Sequence, residues 1–570
     1  MASYQLCKSA VNAGWFFVSS GRHKGTISNG ESIEYRGKIF ANTIKIKRGG
    51  VNNMIKLFRS PAKLFLVVLV VTSFIYPSGM YGAASIPSVD GPLKVTKDSY
   101  PFGAAATTVV PQNLSKLGYV EEEFFVSGKA NVYGFDTAGK VVVKTPDAPY
   151  TTRILVRRPA AASKFSGNVI VELLNPSFLY DFDAQWMFCR DYFMEHGDVW
   201  IGITVKPVAA KALKKFNPER YAPLSWANPL PPDKTCPKPA SLNSDTVPET
   251  ENGLAWDIIS QVGALVRINE KQNPLRGFRV EYVYATGYSQ TGAYLTTYIN
   301  FIRPLATAML KNGRPVYDGY VIGDGDGSAP AINQCTQEFP PGVTPITIRP
   351  RKEPVISVVT EGSVIWSMPS RRQDSDSADD RYRRYEVPGA SHANTLVFEF
   401  ALRPGETDKV GVPAPAPNCI GADKYGLTDF HLEYFMNAAF ASLDAWARSN
   451  IPPPKAQVIE TVPGSNSAAP EVKLDKHGNA VGGLRTPYHD VPVATYRTKS
   501  VPADEKSAQF CDTQGYKIPF EKEKIIALYP TRESYLRKVN DMVDSMVKGK
   551  SLTKADGERV KREAEKVSAW

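Results

Sequence analysis

One short stretch of the sequence has the residue types of a serine nucleophile. It reads Gly-Tyr-Ser-Gln-Thr-Gly over residues 287–292, closes an apolar segment and precedes a segment able to form a helix. A serine on a sharp strand-to-helix turn, a nucleophile elbow, needs small neighbours because strand and helix approach closely there. Gly287 meets this need two residues before Ser289, whereas Thr291 stands where a second glycine is usual. The pattern predicts Ser289 as the nucleophile.

A serine hydroxyl becomes a good nucleophile only when an imidazole takes its proton and an acid orients that imidazole. In proteins with such an elbow the chain order is serine, acid, histidine. The histidines after the elbow are His392, His431, His477 and His489. His392 is the favoured base because it lies in a loop after a predicted strand, whereas His431 falls in a predicted helix and the other two in polar turns.

The acid is predicted from its place after a strand. Glu361 directly follows the apolar run 354–360, which is where an orienting acid is expected, and it is the favoured candidate. The alternatives are Asp324 and Asp326, which follow the preceding strand, and Asp374 and Asp376 in a charged loop.

Two backbone donors are expected to hold the oxyanion that forms during acyl transfer. One is the N–H of Gln290, the residue after the nucleophile, and the other comes from the loop 175–183 after an earlier strand. Pro176 in that loop has no N–H, so Ser177 is the expected second donor.

The elements that must position these residues alternate along the chain. Short, nearly continuous apolar runs predict buried parallel strands, and helices are predicted at 185–196 and 254–269. The predicted strands cover 153–157, 169–174, 198–205, 280–287, 320–323 and 354–360. The fold class is therefore α/β, with a doubly wound, mostly parallel sheet.

Three segments stand outside this alternation. Residues 207–250 and 325–353 are rich in proline and follow strands, where insertions often form a lid or cap over a pocket. Residues 521–570 are charged and helical in pattern, with an apolar stripe. We expect residues 85–570 to form a single domain that carries these insertions and the C-terminal helical extension.

The net charge of +11 is concentrated in a leader. Residues 1–84 hold eleven lysines and arginines against two acids, so the remainder is nearly neutral and no nucleic-acid partner is expected. Three of these basic residues precede an apolar run at 64–76 and small residues at 82–84, the pattern of a secretory signal. Met54 is a natural start for it, and residues 1–53 are interpreted as an over-long start.

The leader predicts a secreted or periplasmic protein, with an N-terminal membrane anchor as the alternative. The run of about 13 residues is shorter than the ~20 that span a bilayer, so no stable span is expected after signal cleavage. Five cysteines follow the leader, which in an oxidising compartment favours one or two disulfides and one free thiol. Neither zinc-type cysteine spacing nor a nucleotide-binding glycine motif is present, so no metal or cofactor is expected.

The motifs resemble a large, mostly uncharacterised, predominantly bacterial group, the alpha/beta hydrolase domain family. The likeness includes Gly-Tyr-Ser-Gln-Thr-Gly at 287–292, Thr-Glu at 360–361 and Glu-Val-Pro-Gly-Ala-Ser-His at 386–392. Further matching stretches are 169–175, 183–186, 200–205, 217–221, 256–261, 475–479, 482–487 and 490–496. The resemblance implies an α/β-hydrolase fold, Ser289 as nucleophile and His392 as base, and makes Thr291 a family trait.

These observations together predict a serine hydrolase that cleaves carboxylic ester bonds through an acyl-enzyme. The substrate is expected to be a small-molecule or polymer-derived ester. An amidase or an acyltransferase with the same triad, and a non-catalytic hydrolase-like binding protein, are the alternatives.

Overall fold

The computed structural model describes residues 86–570, apart from 232–233, 236–246, 269, 307–309, 311–312, 336–338, 413–416 and 465–468. The predicted leader, residues 1–84, lies outside the described residues. The remainder of the chain belongs to one compact unit.

A ten-stranded sheet forms the centre of this unit, and its strand order is β1-β2-β3-β5-β4-β6-β7-β8-β10-β9. The strands are β1 Ser88–Asp90, β2 Tyr119–Phe135, β3 Val141–Pro159, β4 Asn168–Leu173, β5 Val199–Ile203, β6 Tyr282–Tyr288, β7 Gly319–Gly323, β8 Val355–Thr360, β9 Ser375–Ser377 and β10 Asp380–Val387. The six strands from β5 to β10 in this order run parallel to one another, while β1, β2, β3 and β9 pair antiparallel at the two edges. The predicted mostly parallel sheet is confirmed.

Helices cover both faces of the sheet. They are α1 Ala184–His196, α2 Pro207–Phe216, α3 Ala255–Leu265, α4 Gln290–Thr297, α5 Arg303–Ala306, α6 Val364–Ser367, α7 Thr395–Glu399, α8 Pro404–Val410, α9 Ile420–Tyr425, α10 Leu432–Ser449, α11 Pro487–Asp490, α12 Ala508–Cys511, α13 Lys522–Leu528, α14 Arg532–Lys548 and α15 Lys554–Ala564. Two short antiparallel pairs complete the fold: β11 Thr461–Val462 with β12 Glu471–Val472, and β13 Ala494–Arg497 with β14 Tyr516–Pro519.

Alternation along β4 shows how one strand supplies both layers. Val169 and Val171 pack into the core that includes α3 and α4, whereas Ile170 packs into the opposite core with α1 and α10. Successive strand side chains point to opposite faces, so a nearly continuous apolar run is needed when both faces are covered. This is why the parallel strands were readable from their composition.

The long β2–β3 hairpin differs from the sequence prediction, which placed a strand only at 153–157. The strand β2 pairs with β3 along its length, from Tyr119 opposite Pro159 to Phe135 opposite Val141. The pattern was obscured by charges that the fold buries: Arg153 lies 3.3 Å from Glu123, and Arg157 lies 2.7 Å from Glu121. Buried ion pairs of this kind depend on a cross-strand partner that composition does not reveal.

The C-terminal segment 521–570 contains α13, α14 and α15, as its pattern predicts. Tyr535, Val539 and Met546 of the predicted stripe are buried, together with Val543, in the core that also contains α10. A disulfide joins Cys419 to Cys511, and Cys189 is a buried free thiol. Among the described residues, no helix is both long enough and apolar enough to cross a membrane.

Candidate active site

The nucleophile elbow forms at the carboxyl end of β6. Ser289 has φ 56° and ψ −121°, a strained conformation for a residue with a side chain, and α4 begins at the next residue. The Ser289 N–H donates to Gly323 O at 2.8 Å, which ties the turn to the neighbouring strand β7. Both features are those of the predicted elbow.

Glycines allow the close approach that the elbow requires. A Cβ at Gly287 would lie 2.5 Å from Thr291 O, and one at Gly292 would lie 2.8 Å from Gly325 Cα. Thr291, at the position where a second glycine is usual, closes the turn with its hydroxyl, which accepts from Tyr288 N at 3.2 Å and donates to Tyr288 O at 3.1 Å. The glycine needed for close packing is therefore one residue further on, at 292.

His392 meets Ser289 across 103 residues of sequence, with 2.9 Å between His392 Nε2 and Ser289 Oγ. The histidine lies in the loop after β10, and the hydroxyl of Tyr288 donates to its backbone oxygen at 2.7 Å. The residue before Ser289 thus holds the loop that carries the imidazole. The predicted pairing of Ser289 with His392 is present in the geometry.

Asp324, rather than Glu361, contacts the other nitrogen of the imidazole. Its Oδ2 is hydrogen-bonded to His392 Nδ1 and accepts from Thr360 Oγ1 at 2.8 Å and from Ser363 Oγ at 2.9 Å, while Oδ1 accepts from Thr360 N at 2.8 Å. The carboxylate is inaccessible to solvent. Asp324 directly follows β7, so the signal for it was its place after a strand, and it was one of the alternatives.

The predicted contact between Glu361 and His392 does not form. Glu361 is buried, and its Oε2 accepts from Gly389 N at 2.7 Å, three residues before the histidine. Burial raises the pKa of Glu361 to about 7, against the smaller opposing effects of this hydrogen bond and of the Arg497 charge. The segment after β8 therefore supplies hydroxyls to Asp324 and a brace for the His392 loop, but no carboxylate to the imidazole.

The loop after β4 is attached directly to the elbow. Asn175 donates from Nδ2 to Tyr288 O at 2.8 Å, and its Oδ1 accepts from Ser177 N at 2.8 Å. The Ser177 N–H is therefore already engaged, which corrects its predicted role as a backbone donor; what the loop offers the cleft is the exposed Ser177 side chain. Gln290 is the first residue of α4, and a first-turn N–H has no acceptor within its own helix.

A cleft of about 340 Å³ contains Ser289 and His392 in its lining. Its wall includes Trp366 of α6 and, from the segment around the Cys419–Cys511 disulfide, Lys499, Asp512 and Thr513. No feature of the sequence indicated this last segment as part of a site. None of the described residues of 207–250 lines the cleft, and the predicted insertion 325–353 contributes only at its start.

Three aromatic side chains that follow β4, those of Phe178, Tyr180 and Trp186, lie outside the lining of the cleft. Trp186 and Tyr180 are buried in the core, and Phe178 packs on Tyr180 and stacks on Phe510 with 6.5 Å between ring centroids. Trp366 carried no sequence signal, because only the tertiary structure shows an indole beside the serine.

The remaining downstream histidines lie outside the cleft. Burial lowers the pKa of His431, but hydrogen bonding to Glu433 and the nearby charges of Glu433, Glu563 and Asp429 raise it to about 9. Burial lowers the pKa of His489 to about 3. Across the described residues, no group of three or more His, Cys, Asp or Glu side chains is arranged to hold a metal ion.

The chain belongs to the alpha/beta hydrolase domain family, whose family model matches residues 89–562. This match covers all but the first residue of the sheet, the elbow, both residues that flank the imidazole and most of the C-terminal helices. The fold is accordingly the α/β-hydrolase fold. No curated protein matches the chain by sequence.

Solved structures similar to this chain include other hydrolases. One of them comes from a structural analysis of two esterases from Rhizomucor miehei. It is 10% identical to this chain, and the match covers 56% of this chain and 90% of the esterase chain with a TM-score of 0.27. A serine hydrolase without a lid from Xanthomonas campestris is 12% identical, covering 47% and 92% with a TM-score of 0.23. A dienelactone hydrolase from Anabaena variabilis is 13% identical, covering 46% and 88% with a TM-score of 0.24.

Proposed function

We propose that this protein is an exported serine hydrolase that cleaves carboxylic esters with Ser289, His392 and Asp324. The observation that carries the proposal is the continuous hydrogen-bonded chain from Ser289 Oγ through both imidazole nitrogens to the buried Asp324 carboxylate. Such a chain gives a serine its nucleophilicity in unrelated hydrolases.

In the proposed reaction the Ser289 oxygen attacks the ester carbonyl while its proton passes to His392 Nε2. Asp324 keeps the Nδ1–H in place and stabilises the imidazolium. The tetrahedral oxyanion is held by the Gln290 N–H and, in place of the engaged Ser177 N–H, by the Ser177 hydroxyl. The carbon–oxygen bond to the alcohol then breaks and His392 returns the proton to the leaving oxygen.

Water completes the cycle by attacking the acyl-enzyme. His392 removes one proton from this water, a carboxylic acid forms, and the proton returns to Ser289 Oγ. The outcome is one ester and one water converted to one acid and one alcohol. Amide hydrolysis and transfer of the acyl group to an alcohol use the same residues, so the substrate test must include both.

Export is proposed from the basic and apolar leader, and the Cys419–Cys511 disulfide supports it because such bonds persist in oxidising compartments. Mass determination of the N-terminus of the protein recovered from its native host tests this. A mature chain beginning near residue 85 supports cleavage, whereas retention of residues 54–84 supports an anchor.

Fluorophosphonate labelling tests the chemistry. We expect one adduct per chain, mapped to Ser289, and its loss in both Ser289→Ala and His392→Ala proteins that remain folded by circular dichroism. A screen of esters, amides and acyl acceptors then follows. Folded wild-type protein that takes no label and turns over no ester would exclude the mechanism and favour a binding protein.

A further inference from the structure

Trp366 is the most exposed large apolar side chain among the described residues, at 68%. It lines the same cleft as Ser289 and His392. A single exposed apolar side chain on an open surface needs no explanation, but an exposed indole in the lining of a ligand-sized cleft offers a bound molecule an apolar face. Its position is explained if a substrate covers it.

The indole is held on a rigid support. Val364, two residues before Trp366, is fully buried. Ser367, the residue after it, accepts a hydrogen bond from the buried Arg384 at 2.8 Å. Ser363, at the start of the same turn, donates to Asp324. The backbone at 366 is therefore fixed relative to the carboxylate that orients His392, which pre-organises the indole for binding.

The charges around the cleft select an uncharged group. Lys499 lies 2.7 Å from Asp512, so its charge is already paired. Asp326 is paired with Arg384 at 3.3 Å and accepts from Ser357 at 2.6 Å. Each of these charges is balanced by a partner within the protein, which favours an uncharged group at the indole over an anionic or cationic one.

The same pairing disfavours a sugar as the group on the indole. A pyranose ring that stacks on tryptophan also needs acceptors for its hydroxyls, and the carboxylates of Asp324 and Asp326 are buried and already bonded within the protein. A flat hydrocarbon ring needs no such acceptors. The volume of about 340 Å³ is near the lower end for ligand pockets, which suits one ring and a short ester chain.

We propose that Trp366 is a specificity-determining residue, and that its indole stacks on the aromatic ring of a small, uncharged aryl-alkyl ester. The proposal rests on the proposed ester hydrolysis. Offset or edge-to-face contact between aromatic rings stabilises the complex beyond simple area burial, so a planar ring is favoured over a saturated one of similar size.

The test compares two pairs of esters: benzyl acetate with cyclohexylmethyl acetate, and methyl phenylacetate with methyl cyclohexylacetate. Members of a pair differ in the ring alone, and the two pairs place it on the alcohol or the acyl side. We expect kcat/KM of wild type to favour the aromatic member of at least one pair by about tenfold. Trp366→Ala should abolish the preference, and Trp366→Phe should retain part of it.

Leu117→Ala is the matched control, because Leu117 is an exposed apolar residue that does not line the cleft. Its ring preference should equal that of wild type. If Ser289 takes the fluorophosphonate label but Trp366→Ala leaves both ratios unchanged, the specificity inference is overturned and the hydrolase function stands. If no ester is turned over, ligand-detected NMR with benzyl acetate decides: binding lost in Trp366→Ala supports the inference, and binding unaffected by it, or absent, overturns it.

Discussion

Replacing Asp324 with asparagine should remove most of the activity while leaving the cleft in place. The substitution keeps the size of the side chain and one oxygen, which remains able to accept from Thr360 N as Oδ1 does now at 2.8 Å. Of the hydroxyls of Thr360 and Ser363, which now donate to the carboxylate, one is able to rotate and accept from the new amide, and the other is able to donate to the first across the 3.4 Å between them. We therefore expect the variant to fold.

The loss of activity follows from His392, the one hydrogen-bond partner of residue 324 that is unable to adapt to the amide. An amide NH₂ facing His392 Nδ1 requires that nitrogen to accept, so the ring proton moves to Nε2, the atom 2.9 Å from Ser289 Oγ. In that tautomer Nε2 is unable to take the serine proton, and no negative charge stabilises the imidazolium. A substitution with the same consequence lowers kcat by about 10⁴ in a serine protease, equivalent to about 5 kcal/mol in activation free energy.

Glu361→Gln is the matched control, because it makes the same chemical change in the neighbouring carboxylate. The Gln oxygen is able to accept from Gly389 N as the carboxylate does now. One weakened hydrogen bond changes kcat by at most about tenfold. The assay is kcat and kcat/KM for a common short ester in wild type and both variants, with fluorophosphonate labelling rates for the serine itself.

A reversed result would refute this assignment. If Glu361→Gln lowered kcat about 10³-fold or more while Asp324→Asn stayed within tenfold of wild type, the carboxylate that orients the imidazole during turnover would be Glu361.

The pH dependence of stability provides a second test of the Glu361 environment. Because the folded-state pKa of Glu361 is raised from 4.5 to about 7, its ionisation makes wild type less stable as pH rises between these values. Glu361→Gln should thus gain up to ~3 kcal/mol over wild type above pH 7 and nothing below pH 4, as measured by urea unfolding.

Three further outcomes are expected. Ser177→Ala should lower kcat by about 10²-fold with little change in KM, and an unchanged kcat would exclude the hydroxyl as an oxyanion donor. Replacing both Cys419 and Cys511 with serine should lower the free energy of unfolding by about 2–4 kcal/mol and raise KM, because the adjacent cleft wall loses its tether; equal KM values would show that the wall is held without it. Since the folded-state pKa of His431 is raised to about 9, wild type should lose stability as pH rises from 6.5 through 9. His431→Gln should flatten that part of the Tm–pH curve, and parallel curves would contradict the ion-pair account.

Features predicted correctly from the sequence depend on residues close together in the chain. The parallel strands were recognisable because burial on both faces requires a nearly continuous apolar run, as in β4 and β8. The elbow was recognisable because Gly287, Ser289 and Gly292 satisfy a local steric demand. His392 was selected by chain order and by elimination among four histidines.

Features that the sequence left open depend on where side chains point after the chain has folded. Glu361 and Asp324 each follow one of two neighbouring parallel strands, whose carboxyl ends lie at the same edge of the sheet. Position along the chain therefore does not show which of the two carboxylates contacts the imidazole. The first turns toward Gly389 and the second toward His392. Similarly, the Ser177 N–H is not available to a substrate because it already donates to the side chain of Asn175, two residues away. Trp366 becomes part of the cleft lining only through the packing of the folded chain.

The sequence by itself therefore determined the fold class and selected Ser289 and His392 as the candidate nucleophile and base, because periodicity, steric demand and chain order are read along the chain. The tertiary structure alone decided which carboxylate contacts His392, which group of the loop after β4 is left to face the cleft, and which residues form the wall of the cleft. These depend on hydrogen bonds between segments tens of residues apart, such as the 68 residues that separate Asp324 from His392. The sequence identifies candidate residues for such contacts, but the direction in which each side chain points is set only when the core beneath it has packed.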